Sequence, residues 1–171
     1  MARPSSCRPQ DSPGNNPNPD IDGSVTRSRA LSSGQLDALI EQFKQVCQTV
    51  HPEGDNLKTF GHDIRNLLIL ACTEVEAQWK NILIKNSYPR VHHANIRDDY
   101  VKLLHAMKLD AYEVELTWYP WIGSVAPFAD WATSGSLAWY SDYNKVKHDR
   151  MGSFEKATLR NAMKAVTGCF G

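Results

Sequence analysis

Asn144, Lys147 and His148 stand at i, i+3 and i+4 within the run Trp139-Tyr140-Ser141-Asp142-Tyr143-Asn144-Lys145-Val146-Lys147-His148-Asp149-Arg150. On a helix, residues at this spacing share one face. An imidazole placed there can give or take a proton near neutrality. Lys145, Lys147 and Arg150 beside it are the residue types that hold a phosphate. The chemistry within reach is proton transfer at a phosphodiester. A histidine takes the proton of an attacking hydroxyl or protonates the leaving oxygen, and a cation stabilises the charge on the phosphorane. The competing reading keeps Asn144 and His148 hydrogen-bonded within a bundle and leaves Lys147 and Arg150 to water.

Other clusters point less directly at chemistry. Lys156, Arg160 and Lys164 recur every four residues. A helix starting at Ser153 turns them into one basic ridge, and with the basic end of the preceding helix they make a phosphate-binding patch. Glu74 and Glu76, at i and i+2, face apart on a helix. Glu76 shares a stripe with Arg65, Ile69 and Cys72, which predicts an ion pair rather than a catalytic dyad. His92, His93, Asp98, Asp99 and His105 match no standard metal template, so no metal or other cofactor is expected. Trp118, Trp121, Trp131 and Trp139 suit packing of a loop better than stacking on RNA.

The elements that must position these residues follow from hydrophobic period. Residues 1 to about 30 include Ser12-Pro13-Gly14-Asn15-Asn16-Pro17-Asn18-Pro19 and read as a disordered tail. A first helix runs from about Leu36 to Val50, with Ser32 or Ser33 as cap. A second follows Thr59 and reaches about Lys85; its apolar face is so wide that it predicts a central position. A third covers Ile96 to about Leu109. Between Ala111 and Tyr119 the period changes to two, which predicts a short extended segment. Trp121 to Trp131 reads as a structured loop. A fourth helix then runs from Ser134 or Ser136 to near Arg150, and a fifth from Ser153. The expected fold is an all-α, up-and-down bundle of about five helices.

At 171 residues the chain is long enough to bury a core without covalent staples. Nineteen basic and nineteen acidic side chains balance, so nucleic-acid binding has to come from a local patch and not from net charge. Cys7, Cys47, Cys72 and Cys169 lack a C-x-x-C spacing and read as free thiols. The first residues carry no apolar leader, and the run Leu67 to Cys72 is too short to span a bilayer. The expectation is a cytoplasmic protein with no membrane association.

Tyr143-Asn144-Lys145-Val146-Lys147-His148-Asp149-Arg150 is followed by Ala157-Thr158-Leu159 and preceded by Ile64-Arg65-Asn66-Leu67-Leu68 and Glu74-Val75-Glu76-Ala77. Together they resemble a bacterial HEPN-like family over about Leu36 to Phe170. That resemblance implies an α-helical, usually homodimeric domain of toxin–antitoxin pairs and phage defence. It also implies RNA, or a cognate protein, as partner. Active members are metal-independent ribonucleases in which four to six residues separate an Arg from a His downstream of it. His148 matches that His, and Asn144 the polar residue often beside the Arg. The three upstream positions here are Ser141, Asp142 and Tyr143, so Lys145, Lys147 or Arg150 would have to supply the cation. Either an RNA-acting module or a non-catalytic, antitoxin-like subunit fits this pattern.

Overall fold

The computed structural model describes residues 23–170. Two units divide between Ser33 and Gly34. In the first, the described residues are the opening turns of helix α1 (Gly23–Thr49), where Val25 and Leu31 are exposed. Residues 23–30 are therefore helical, contrary to the tail expectation, because Arg27, Arg29, Ala30 and Leu31 are good helix formers and need no burial to close backbone bonds. Ser32 and Ser33 lie inside the helix and cap nothing. Residues 1–22 of the expected tail, with Cys7, lie outside the described residues.

The second unit is an all-α bundle, as the sequence predicts. Its centre is α2 (His62–Lys85), whose Ile64, Leu67, Leu68, Ala71, Cys72, Val75, Trp79 and Leu83 are all buried. So broad an apolar surface is satisfied only by neighbours on several sides. Those neighbours include α5 (Ala138–His148) and α6 (Leu159–Gly168). Gly168 permits the close approach of Phe128, since a Cβ there would stand 3.2 Å from the ring. Trp79, Tyr100, Phe128, Trp131, Trp139 and Tyr140 form a continuous aromatic cluster beside α2.

Where local pattern and structure part, a capping or pairing residue is the cause. The third predicted helix is shortened to α3 (Val101–Ala106), preceded by a wide turn over Ile96–Tyr100. Asn95 sets that turn by accepting the backbone N–H groups of Arg97 and Asp98 at 3.0 Å. The extended segment shrinks to β1 (Val114–Glu115), which pairs antiparallel with β2 (Ser124–Val125) from the predicted loop. A short helix, α4 (Ala129–Ser134), precedes α5, and Gly135 at φ 65° separates them in the left-handed region that favours glycine. Residues Phe154–Lys156 form only a 3-10 turn. The last helix begins later than Ser153 because Thr158 is extended: it bridges to Phe60 and caps α6 by accepting Asn161 N–H at 3.3 Å.

Candidate functional site

Helix α5 is anchored by one face and carries the candidate residues on another. Trp139, Tyr143 and Val146 are buried, and Trp139 donates its indole N–H to the Pro127 carbonyl at 2.7 Å. Tyr140 is buried as well, its hydroxyl donating to Glu76 at 2.6 Å. Burial first, then this bond to a carboxylate, pushes the Tyr140 phenol well above its ordinary pKa. The expected Arg65–Glu76 ion pair is thus replaced by a Tyr140–Glu76 hydrogen bond between α5 and α2. The side-chain Nε of Arg65 is buried and without a partner among the described residues.

A cavity of about 550 Å³ opens along the next face. Asn144, Lys145 and His148 line one side of it, and Arg97 comes from the turn before α3. Ser136, Ser141 and Ser153 add hydroxyls, with Leu137 and the Tyr140 ring as apolar wall. His148 is exposed, and neither its imidazole nor the Asn144 amide bonds another described residue. Within the described residues, then, the pair does not serve the bundle's own hydrogen bonding, as the competing reading requires. Arg97 makes no ion pair with a described residue. Its backbone is held by the Asn95 cap and by buried Asp99, which accepts Asn95 N–H at 2.9 Å and the Tyr88 hydroxyl at 2.7 Å. Asp149, the one carboxylate lining the cavity among the described residues, accepts the Gly152 N–H at 2.9 Å.

The other sequence candidates lie elsewhere. Lys147 turns from the cavity and donates to the Tyr143 hydroxyl at 3.0 Å. That bond, strengthened by nearby Glu76, raises the Lys147 pKa. Arg150 borders a separate recess with His62, Met151 and Phe154. Lys156 sits in the 3-10 turn and not on α6, so only Arg160 and Lys164 share a helix, and Lys164 pairs with Asp130 at 3.2 Å. The basic ridge is therefore shorter than predicted, and none of its members lines the cavity. Lys145 does line it while reaching Asp142 at 3.3 Å.

Sequence reasoning missed Arg97, Ser136 and Ser141. The available signal for Arg97 was Asn95, a capping residue type two positions before it. Among the described residues, His92, His93, Asp98, Asp99 and His105 assemble no group of three or more side chains able to hold a metal. Cys47, Cys72 and Cys169 are buried free thiols. Among the described residues, no helix is long and apolar enough to cross a membrane. No family model, curated protein or solved structure matches this chain.

Proposed function

We propose that the protein is an RNA-acting module of HEPN-like type that cleaves phosphodiesters without a metal. One observation carries the reading: the His148 imidazole, unbonded among the described residues, shares a cavity with Asn144, Lys145 and Arg97, which makes no ion pair among them. In this reading His148 transfers the proton of the attacking 2'-hydroxyl or of the leaving oxygen. Arg97 and Lys145 hold the phosphate and stabilise its transition-state charge, and Asn144 orients an oxygen by hydrogen bonding. Lys147 and Arg150 take no direct part in this step. A homodimer in a toxin–antitoxin or phage-defence setting accords with the resemblance.

The test incubates purified protein with mixed RNA in EDTA beside His148→Ala and Arg97→Gln. Each substitution is expected to lower the cleavage rate about a hundredfold or more. No cleavage by the unsubstituted protein ends the ribonuclease reading, as does cleavage that persists in His148→Ala. A second reading is a non-catalytic, partner-docking subunit. It draws on Trp118 and Trp121, both exposed beside α1, with Lys44 over Trp118 at 4.4 Å and His51 stacked on Trp121 at 4.9 Å. Loss of a self-association or partner complex in Trp121→Ala, with RNA untouched by any form of the protein, would favour it.

A further inference from the structure

Three rings meet where the chain enters α2. Phe60 stands edge-on to Phe154 at 5.7 Å, and His62 lies tilted against Phe154 at 4.9 Å. Phe60 is 48% exposed and Met151, on the neighbouring turn, 89%. Two recesses border the rings. One, of about 380 Å³, is bounded by Gln42, Gln45, Thr49 and the Asp63 carboxylate together with Phe60 and His62. The other, of about 390 Å³, lies among His62, Arg150, Met151 and Phe154.

The side-chain types define what fits. An exposed aromatic surface accepts a flat ring, and every nucleobase presents one. Primary amides offer a donor and an acceptor side by side, which is the pattern on base edges. A guanidinium within the same patch suits the phosphate of the adjoining nucleotide. A purely apolar partner would leave Gln42, Gln45 and Arg150 unpaired. Position points the same way. Asp149 and Ser153 line the His148 cavity, whereas Arg150 and Met151 line the recess, so one short turn separates the two.

We infer that Phe60, His62 and Phe154 form a base-stacking subsite for single-stranded RNA. Gln42 and Gln45 meet the base edge, and Arg150 meets the neighbouring phosphate. The inference rests on the RNA reading above and extends the path of the strand from the His148 cavity across the Asp149–Ser153 turn. A duplex is a poor occupant because its bases are already stacked and their edges paired.

Binding of a labelled single-stranded RNA of about ten nucleotides, 2'-O-methylated so that it resists cleavage, tests this by fluorescence anisotropy on the full chain. Phe60→Ala and Arg150→Gln are each expected to weaken binding between about fivefold and a hundredfold. Phe60→Tyr keeps the ring and should bind like the unsubstituted protein, which separates stacking from loss of folding. The same RNA annealed to its complement should bind at least about tenfold more weakly. Unchanged affinity in Phe60→Ala and Arg150→Gln, equal affinity for the duplex, or no binding by the unsubstituted protein overturns the subsite. So does a dimer that Phe60→Ala dissociates while RNA affinity stays constant, which would make the patch a contact between copies. Cleavage by His148→Ala reports separately on catalysis. If that variant cleaves normally while Phe60→Ala binds weakly, the catalytic assignment fails and the subsite stands.

Discussion

Trp131 and Trp139 are both 1% exposed and belong to the same aromatic cluster, yet they differ in one atom's surroundings. Trp139 Nε1 donates to Pro127 at 2.7 Å, whereas Trp131 Nε1 is buried with no partner among the described residues. Replacing either indole by a phenyl ring removes the same volume, a common cost of about 1 kcal/mol from the residual cavity. Trp139→Phe also strands the buried carbonyl that its indole N–H satisfied, at a cost of roughly 1–3 kcal/mol. Trp131→Phe instead removes an unpaired buried donor and recovers roughly 1–3 kcal/mol. Trp139→Phe is therefore expected to lose about 2–4 kcal/mol, and Trp131→Phe to gain up to about 2 kcal/mol.

Urea denaturation followed by far-ultraviolet circular dichroism measures the difference directly, with midpoints compared at constant m. The resulting gap of about 2–6 kcal/mol corresponds to roughly 4–24 °C in Tm for a chain of this length. Equal losses in the two variants would refute the reasoning, because they would mean that the Trp131 indole has a partner. A trapped water is the obvious one. The comparison also bears on the site. Trp139 anchors the helix that carries Asn144 and His148, so its loss should loosen the cavity wall, and Trp131→Phe should leave that wall in place.

Two further expectations follow from titratable groups. The Tyr88 hydroxyl, then the Asn95 N–H, hold the buried Asp99 carboxyl below its ordinary pKa. A lowered folded-state pKa gives stability that is present above the unfolded value near about pH 4 and is lost as pH falls through the folded one. Asp99→Asn should thus lower the urea midpoint at pH 7, with the gap to the parent narrowing by pH 3; a constant gap would contradict the network. Burial pushes the Cys47 thiol to about 11 and Cys169 to about 12, and raises Cys72 well above the ordinary thiol value. None of the three should react with a disulfide reagent at pH 8 until denaturant is added, and prompt labelling of the native protein, located by peptide mapping, would show the core to be more open than described.

The long elements were legible because their periods are strong. In α2 the apolar residues cover so much of the circumference that a central position was the only way to bury them. The Asn144–His148 pairing was legible for the same reason, since i and i+4 differ by only about 40° around a helix at about 100° per residue. Lys147 was misplaced by its own spacing. It is the i+4 partner of Tyr143, and the bond to that hydroxyl turns its amine away from the cavity while the residue stays exposed. Interruptions were harder to see, because they depend on distant partners. Thr158 is extended through its bridge to Phe60, nearly a hundred residues earlier, and no local pattern reports such a contact.

The same distinction decides where the cation of the candidate site comes from. Of the three positions upstream of His148 at which the HEPN-like resemblance looks for an arginine, Tyr143 is fully buried. Asp142 accepts Lys145 at 3.3 Å and the Asn161 amide at 3.1 Å, tying α5 to α6. Only Ser141 reaches the cavity. An arginine at 142 or 143 would meet α6 or the core, at the cost of burying or unpairing a charge. A guanidinium facing His148 must then arrive from another element, and Arg97 arrives on a turn fixed by Asn95 and Asp99. In the proposed reading the guanidinium therefore comes from outside α5 and joins Lys145 of that helix in the cavity. That is why Arg97→Gln, rather than a substitution on α5, is the sharpest companion to His148→Ala.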